Sequence, residues 1–366
     1  MRFRCTTCDR DWPLDPTRWR CACGGLLEIA GGPTFDPARV NVDNYTVWRY
    51  REALPLLDGA RPVTLGEGWT PLVDVAWNGR VVSFKAESCN PTGSFKDRGA
   101  TVLVTALRAA GVREVVDDSS GNAGAALAAY AARGGLDASV YVPAHASPVK
   151  RAQIAVYGAR IVAVPGPRND TSRAVLGAVE KGAVYATHVF SPLFTHGMKT
   201  IAFELWEQCA GSAPDSIVLP VGHGGLLLGL HMGFGELLAA RLIARWPRLI
   251  GVQAEAVAPL AGAWDRGASE AEPVVEMETV AGGARIANPP WGRQVLAAVR
   301  ETGGGIVAVP DEETLAAQAK LARQGLYVEP TSALAVAALD QLGESLGEMP
   351  AVVLTGSGFK SPPGVN

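Results

Sequence analysis

From about residue 81 onward, short runs of β-branched residues alternate with alanine-rich stretches, and this alternation leaves few folds open. Strand patterns at 81–85, 112–117, 138–143 and 160–165 are separated by helical patterns at 100–110, 123–133 and 148–157. A second series runs through a strand at 216–221, a helix at 226–244, strands at 249–255 and 305–309, a helix at 311–324 and a strand at 351–355. A strand returning repeatedly after a helix builds parallel sheets covered on both faces. The expected fold class is therefore α/β, with two three-layer α/β domains of mostly parallel sheet and a cleft between them. Neither an internal repeat nor a low-complexity tract interrupts the pattern.

The chain has 366 residues, 48% hydrophobic and 19% charged, enough for two domains with full cores. Thirty-three basic residues against 36 acidic ones give a net charge of -3, and no basic block follows a phosphate backbone, so nucleic acid is not an expected partner. Met1-Arg2-Phe3-Arg4-Cys5 turns polar at once and lacks the apolar core of a secretory signal, which points to the cytoplasm. Residues 217–235 carry no formal charge, but Pro220, His223, His231 and several glycines break them up, so they read as strand, glycine loop and helix rather than a membrane span.

The first 32 residues have a different character and read as a separate small module. Cys5-x2-Cys8 and Cys21-x-Cys23 offer four sulfurs in two close pairs, the ligand set of a tetrahedral zinc site. A short ribbon around Trp12 and Trp19 has little core and would need the metal to fold. Reduced, metal-free thiols are the alternative, and the second pair has one intervening residue where a zinc knuckle usually has two. Cys89 and Cys209 have no sequence neighbour to pair with. The expected domains are 1–32 as a zinc ribbon, 33–95 with 195–366 as a large cofactor-binding domain, and 96–194 as a smaller substrate-closing domain.

In Asn90-Pro91-Thr92-Gly93-Ser94-Phe95-Lys96-Asp97-Arg98-Gly99 a strand gives way through a turn to a helix, and Lys96 falls in that helix's first turn. The positive end of a helix dipole biases an amine toward losing its proton, and a neutral amine can form a Schiff base. A solvated lysine beside Asp97 and Arg98 is the competing reading. Two further strands end in the same way. Ser119-Ser120-Gly121-Asn122-Ala123-Gly124 would turn backbone N–H groups toward a carboxylate, or simply cap a helix. Gly222-His223-Gly224-Gly225 would do the same toward a phosphate, though it has neither the dinucleotide fingerprint nor the Gly-Lys-Ser/Thr ending of a phosphate loop. Thr355-Gly356-Ser357-Gly358 leaves a hydroxyl at the carboxyl edge of the last strand. Together these groups are what a pyridoxal 5′-phosphate ring requires.

With Glu329-Pro330-Thr331-Ser332-Ala333 added, these motifs stand in the order found in fold-type II pyridoxal phosphate enzymes, and the chain from about Thr64 to Lys360 resembles their threonine synthase branch, within the tryptophan synthase β-like superfamily. The resemblance implies that Lys96 carries the cofactor and shuttles protons, and that Asn122 bonds the ring hydroxyl. It implies that Gly222, His223, Gly224 and Gly225 bind the cofactor phosphate, that Ser120, Gly121 and Ala123 grip the substrate carboxylate, and that Thr355 faces the ring nitrogen. Similar N-terminal ribbons occur in that family, so structural zinc at Cys5, Cys8, Cys21 and Cys23 is expected too. The implied protein is a lyase of amino-acid biosynthesis acting on a small amino-acid substrate, away from membranes, as a homodimer.

The chain departs from the branch in one stretch. Ser191-Pro192-Leu193-Phe194-Thr195-His196-Gly197-Met198-Lys199-Thr200 has Ser191 and Phe194 where threonine synthases carry Asn and Arg, which removes a bidentate phosphate donor. Lys150, Arg151, Arg168 or Lys199 could compensate, or each could be a surface charge. His196 and His223 could reach a site or merely pack. The leading expectation is water replacing the phosphate of O-phosphohomoserine to give threonine. The alternatives are elimination from serine or threonine, β-replacement on a phosphoserine-like substrate, and a non-catalytic zinc-ribbon binding protein on the same fold.

Overall fold

The computed structural model describes residues 1–166 and 168–361. Three short strands, β1 (Arg2–Cys5), β2 (Asp11–Pro13) and β3 (Leu27–Ala30), form an antiparallel sheet in the order β2-β1-β3. Its small core is Phe3, Cys5, Cys21 and Leu27.

A hairpin follows, β4 (Leu72–Trp77) and β5 (Arg80–Lys85). Its tip is Asn78-Gly79, both at positive φ (49° and 82°), the backbone a tight two-residue hairpin turn demands. Next come α1 (Lys96–Ala109), β6 (Glu114–Asp117), α2 (Asn122–Gly134), β7 (Asp137–Pro143), α3 (Pro148–Val156), β8 (Arg160–Val164), α4 (Arg168–Glu180), β9 (Val184–Tyr185) and α5 (Pro192–Met198). The remainder is α6 (Thr200–Gln208), β10 (Ser216–Pro220), α7 (Gly225–Ala239), β11 (Arg248–Ala254), α8 (Pro259–Asp265), α9 (Gly292–Glu301), β12 (Gly305–Val309), α10 (Asp311–Ala322), α11 (Pro330–Leu342) and β13 (Pro350–Val353).

The chain divides into two compact units. One comprises Met1–Gly68 and Asn90–Met198, and holds a parallel four-stranded sheet in the order β8-β7-β6-β9. The other comprises Trp69–Cys89 and Lys199–Pro362, and holds a six-stranded sheet in the order β12-β11-β10-β13-β5-β4, parallel except for β4 at its edge. This corrects the expected boundaries, because residues 33–68 and 90–95 group with Lys96 rather than with the larger sheet.

Polar stitching explains the correction. Thr101 on α1 donates to the Val63 carbonyl at 2.6 Å, and Thr105 accepts from Val63 N–H at 2.9 Å. Glu67 is fully buried and accepts from Trp48 Nε1, Leu65 N–H, Thr64 Oγ1 and Tyr130 OH, so a costly carboxylate is satisfied on all sides and ties this segment to α2. The helix expected near 45–57 is a shorter 3-10 helix, Val47–Ala53, kinked at Tyr50.

Small residues set the helix packing. A Cβ on Gly99 would lie 2.3 Å from the Phe194 ring, and one on Gly197 would lie 2.0 Å from the Arg98 carbonyl, so α1 and α5 cross at backbone distance. In the second unit every residue of β10 is buried, and α11 is buried along most of its length from Ser332 to Leu339, as befits a helix with no polar face lying over a central strand. The helix expected over 226–244 stops at Ala239, and Arg241 adopts the left-handed conformation just beyond.

Candidate active site

In the first unit the lysine motif folds as a clamped turn. Gly93, at φ 81°, donates from N–H to the Asn90 carbonyl at 2.7 Å, and the Asn90 side-chain oxygen accepts from Gly68 N–H at 3.0 Å. Asp97, fully buried, takes hydrogen bonds from the backbone N–H of Thr92 at 2.7 Å and from the Thr92 hydroxyl. Gln153 donates to the Thr92 carbonyl at 2.9 Å. Held this way, Lys96 is the first residue of the 14-residue helix α1. Its amine is half-buried, 4.7 Å from the centre of the Phe95 ring and 5.8 Å from that of Phe194. Apolar walls and a helix N-terminus both disfavour the ammonium form.

The loop after β6 meets its expectation in form. Ser120, Gly121 and Asn122 are half-buried, Ala123 is buried, and Gly121 N–H bonds the Ser119 hydroxyl at 3.3 Å. A Cβ on Gly124 would sit 1.9 Å from the Ser119 carbonyl, so only glycine lets the loop close onto α2. With no side-chain cap at the start of α2, its leading N–H groups are left for an anion.

Behind this loop stands a group that the sequence did not single out. Asp117, 1% exposed at the end of β6, has no hydrogen-bond partner for either carboxylate oxygen among the described residues. His188 Nδ1 lies 3.7 Å from Asp117 Oδ2, and the His188 ring packs edge-on against Phe194 at 6.1 Å. Burial pushes the Asp117 carboxyl up to about 7, opposed by Arg168, by the nearby N–H groups of Asp118 and Ser119, and by Lys96. Burial first, then the Lys96 and Arg168 charges, hold His188 well below its ordinary value, against the pull of Asp118. The one available signal was a charged residue closing an apolar strand.

In the second unit, residues 222–225 lead into the 15-residue helix α7. Gly224 has φ 99°, and a Cβ there would lie 2.4 Å from Val295, while one on Gly222 would lie 3.1 Å from Ile286. A loop that excludes side chains at the N-terminus of a long helix fits a phosphate. His223 is half-buried in this loop. Thr355 is buried at the end of the β13 segment, its hydroxyl 2.9 Å from Ser332 Oγ, which also accepts from Gly356 N–H at 2.7 Å. Ser332, quoted above only as part of a motif, is thus the partner of the expected ring-facing hydroxyl.

The expected compensating cations are engaged elsewhere or lie at the rim. Lys199 is fully buried and bonded to Glu236 at 2.6 Å, so it is neither a surface charge nor an open phosphate donor. Arg168 pairs with Asp118 at 3.1 Å, and Arg151 donates to the Ala144 carbonyl at 3.3 Å. Lys150 is half-buried and His196 is buried within α5.

In the ribbon, the four cysteine sulfurs all lie within 4.8 Å of one another, with Cys5 to Cys23 at 3.5 Å and Cys8 to Cys21 at 3.7 Å. Four metal–sulfur bonds of about 2.3 Å in a tetrahedron put sulfurs about 3.8 Å apart, so the set fits zinc. Thr7 N–H, Gly25 N–H and Trp12 Nε1 each point at a sulfur at 3.4 Å. The Cys23 N–H and the Trp12 indole bring Cys21 down to about 6 against burial, whereas the neighbouring sulfurs outweigh the Gly25 N–H and push Cys23 up to about 12. Four crowded thiols cannot all ionise without a cation among them.

Residues 63–358 match the family model described as "Pyridoxal-phosphate dependent enzyme". The chain is 36% identical to the threonine synthase of Methanocaldococcus jannaschii over 99% of its own length and 93% of that protein's. It is 36% identical to the threonine synthase of Methanosarcina acetivorans, over 93% of this chain and 86% of the relative. Among solved structures, a bacterial threonine deaminase from T.th. superposes with a TM-score of 0.68 at 28% identity, covering 79% of this chain and 92% of that one. Maize serine racemase gives a TM-score of 0.70 at 24% identity, covering 79% of this chain and 88% of that one, a likeness of fold.

Proposed function

Since the chain belongs to the family of pyridoxal-phosphate dependent enzymes, we propose that it is a threonine synthase, converting O-phospho-L-homoserine and water to L-threonine and phosphate. The observation that carries the reading is Lys96, the first residue of α1, its amine half-buried between Phe95 and Phe194 on a turn clamped by Asp97. When bound, the cofactor supplies an electron sink for the substrate's α-carbon.

The chain's own residues would do the rest. Lys96 would hold the cofactor and carry protons at Nζ, and Asn122 would meet the ring hydroxyl. Ser120, Gly121 and Ala123 would orient the substrate carboxylate through a loop whose N–H groups are uncapped. Gly222, His223, Gly224 and Gly225 would take the cofactor phosphate on backbone N–H groups. Thr355, steadied by Ser332, would face the ring nitrogen as a neutral hydroxyl, which does not hold that nitrogen protonated and so suits elimination or replacement.

A second reading, elimination from serine or threonine, draws on the 191–200 segment. Phe194 is packed on Gly99 where the branch carries an arginine, and Lys199 is spent on Glu236. Phosphate release from O-phosphohomoserine is therefore to be measured beside keto-acid release from serine and threonine, with the visible cofactor band read in wild type and Lys96→Ala. Phosphate release and a band lost in the variant support the leading reading. Keto acid without phosphate replaces it with the second.

For the ribbon, Cys5, Cys8, Cys21 and Cys23 would hold structural zinc. Metal analysis should find about one zinc per chain, lost in Cys5→Ser. Equal absence from both proteins removes the metal. A cytoplasmic homodimer accompanies this reading, to be checked by fractionation and light scattering. Among the described residues no helix is long and apolar enough to cross a membrane.

A further inference from the structure

Asp117 has an environment that packing alone does not require. It is 1% exposed, neither oxygen has a hydrogen-bond partner among the described residues, and its nearest ionisable neighbour is His188 at 3.7 Å. A buried carboxylate left in this state is costly, and an asparagine or serine would fill the space at lower cost. Its neighbour Asp118 shows the ordinary solution, accepting from Tyr185 OH at 2.7 Å and Ser172 Oγ at 2.8 Å and pairing with Arg168. Both Lys96 and His188 lean on the Phe194 ring, at 5.8 and 6.1 Å, so the amine and the Asp117–His188 pair share one wall of the first unit.

We propose that Asp117, screened by His188, is a positioning residue that exchanges a proton with Lys96 and so sets when its amine is neutral. This rests on the reading of Lys96 as the cofactor's amine. When Lys96 loses a proton, an N–H bond breaks, an O–H bond forms on the Asp117 carboxylate, and the pair's net charge is unchanged. The other charged or titratable groups facing the pair are Arg168 from α4, Asp118 from the end of β6 and Tyr185 from β9. Arg168 is committed to Asp118, and Tyr185 stays protonated because burial and the two aspartates raise it far above its usual value. His188 stays neutral and can neither add a competing cation nor donate to Asp117 at 3.7 Å.

The test is the pH dependence of Lys96 arylation by trinitrobenzenesulfonate in the full-length protein freed of cofactor, read by mass spectrometry of the Lys96 peptide. Asp117→Asn should move the midpoint to lower pH by about one unit, making Lys96 about tenfold more reactive below it, and Asp117→Glu should restore the wild-type curve. Superimposable curves for wild type and Asp117→Asn overturn the proposal. If Asp117→Asn does not fold by circular dichroism, the infrared carboxylic-acid band of a buried aspartate is titrated in wild type and Lys96→Ala. Coupling is reciprocal, so losing the lysine charge should move that band's midpoint to higher pH, and an unmoved band also overturns the proposal. Borohydride reduction with pyridoxal phosphate keeps the two readings apart. Label on another lysine rejects Lys96 as the cofactor's amine, whereas label on Lys96 with unshifted curves rejects only the Asp117 coupling.

Discussion

Ser332 Oγ lies 2.9 Å from Thr355 Oγ1 and takes a hydrogen bond from Gly356 N–H at 2.7 Å, joining the first turn of α11 to the loop after β13. The hydroxyl assigned to the ring nitrogen is therefore held in one orientation before any ligand arrives. Ser332→Ala should loosen it and leave the Gly356 N–H without its acceptor, at a cost of about 1–3 kcal/mol. The expected result is faster cofactor dissociation with a smaller change in turnover, measured by dilution-induced loss of the visible band.

Gly224 cannot carry a side chain. Its φ of 99° strains any other residue, and a Cβ would stand 2.4 Å from Val295 Cγ2. Gly224→Ala should displace the 222–225 loop and weaken pyridoxal phosphate binding by about tenfold or more, since left-handed strain alone costs about 1–3 kcal/mol. Cofactor titration followed by absorbance checks this, and Gly225→Ala, at the first position of α7, gives the milder comparison.

Lys85 is a fully buried cation on β5, with its ammonium bonded to Glu204 at 2.7 Å, the Thr70 carbonyl at 2.8 Å and Gln208 Oε1 at 2.9 Å. Every ammonium hydrogen has a partner. Glu204→Gln should leave the charge buried and uncompensated, destabilising the second unit by about 3–5 kcal/mol, whereas Lys85→Met with Glu204→Leu should recover much of that loss. Urea unfolding of the two variants provides the comparison.

Asp117 makes stability depend on pH with a definite sign. Its carboxyl is raised in the folded protein from 3.8 to about 7, so between those values the folded state holds a proton the unfolded state has released. Stability from this group is fully present below about pH 4 and falls as pH rises toward 7, by up to about 4 kcal/mol. Asp117→Asn should equal wild type at pH 4 and exceed it at pH 8, read as the difference in melting temperature at the two values. A difference that does not grow with pH would contradict the raised carboxyl.

Legibility followed the range of the interactions. The loops at Lys96, Asn122, Gly224 and Thr355 were readable because glycine, asparagine and a β-branched run act on their own few residues. Residues 33–68 were assigned to the wrong unit because the bonds that place them, Val63 to Thr101 and Thr105 and Glu67 to Tyr130, span dozens of residues and leave no periodic trace. The same holds for Lys199. Its sequence neighbourhood suggested an available cation, and only the approach of α7 supplies Glu236 and buries the pair.

The sequence by itself determined the α/β class, the order of the glycine-rich strand ends and the four-cysteine ribbon, because patterning and turn chemistry are local. Tertiary structure alone decided which charges are neighbours: Glu204 under Lys85, Glu236 on Lys199, and His188 beside an Asp117 with no hydrogen bond among the described residues. Burial turns such pairings into several kcal/mol and shifted protonation, and burial belongs to the packed fold rather than to any stretch of the chain.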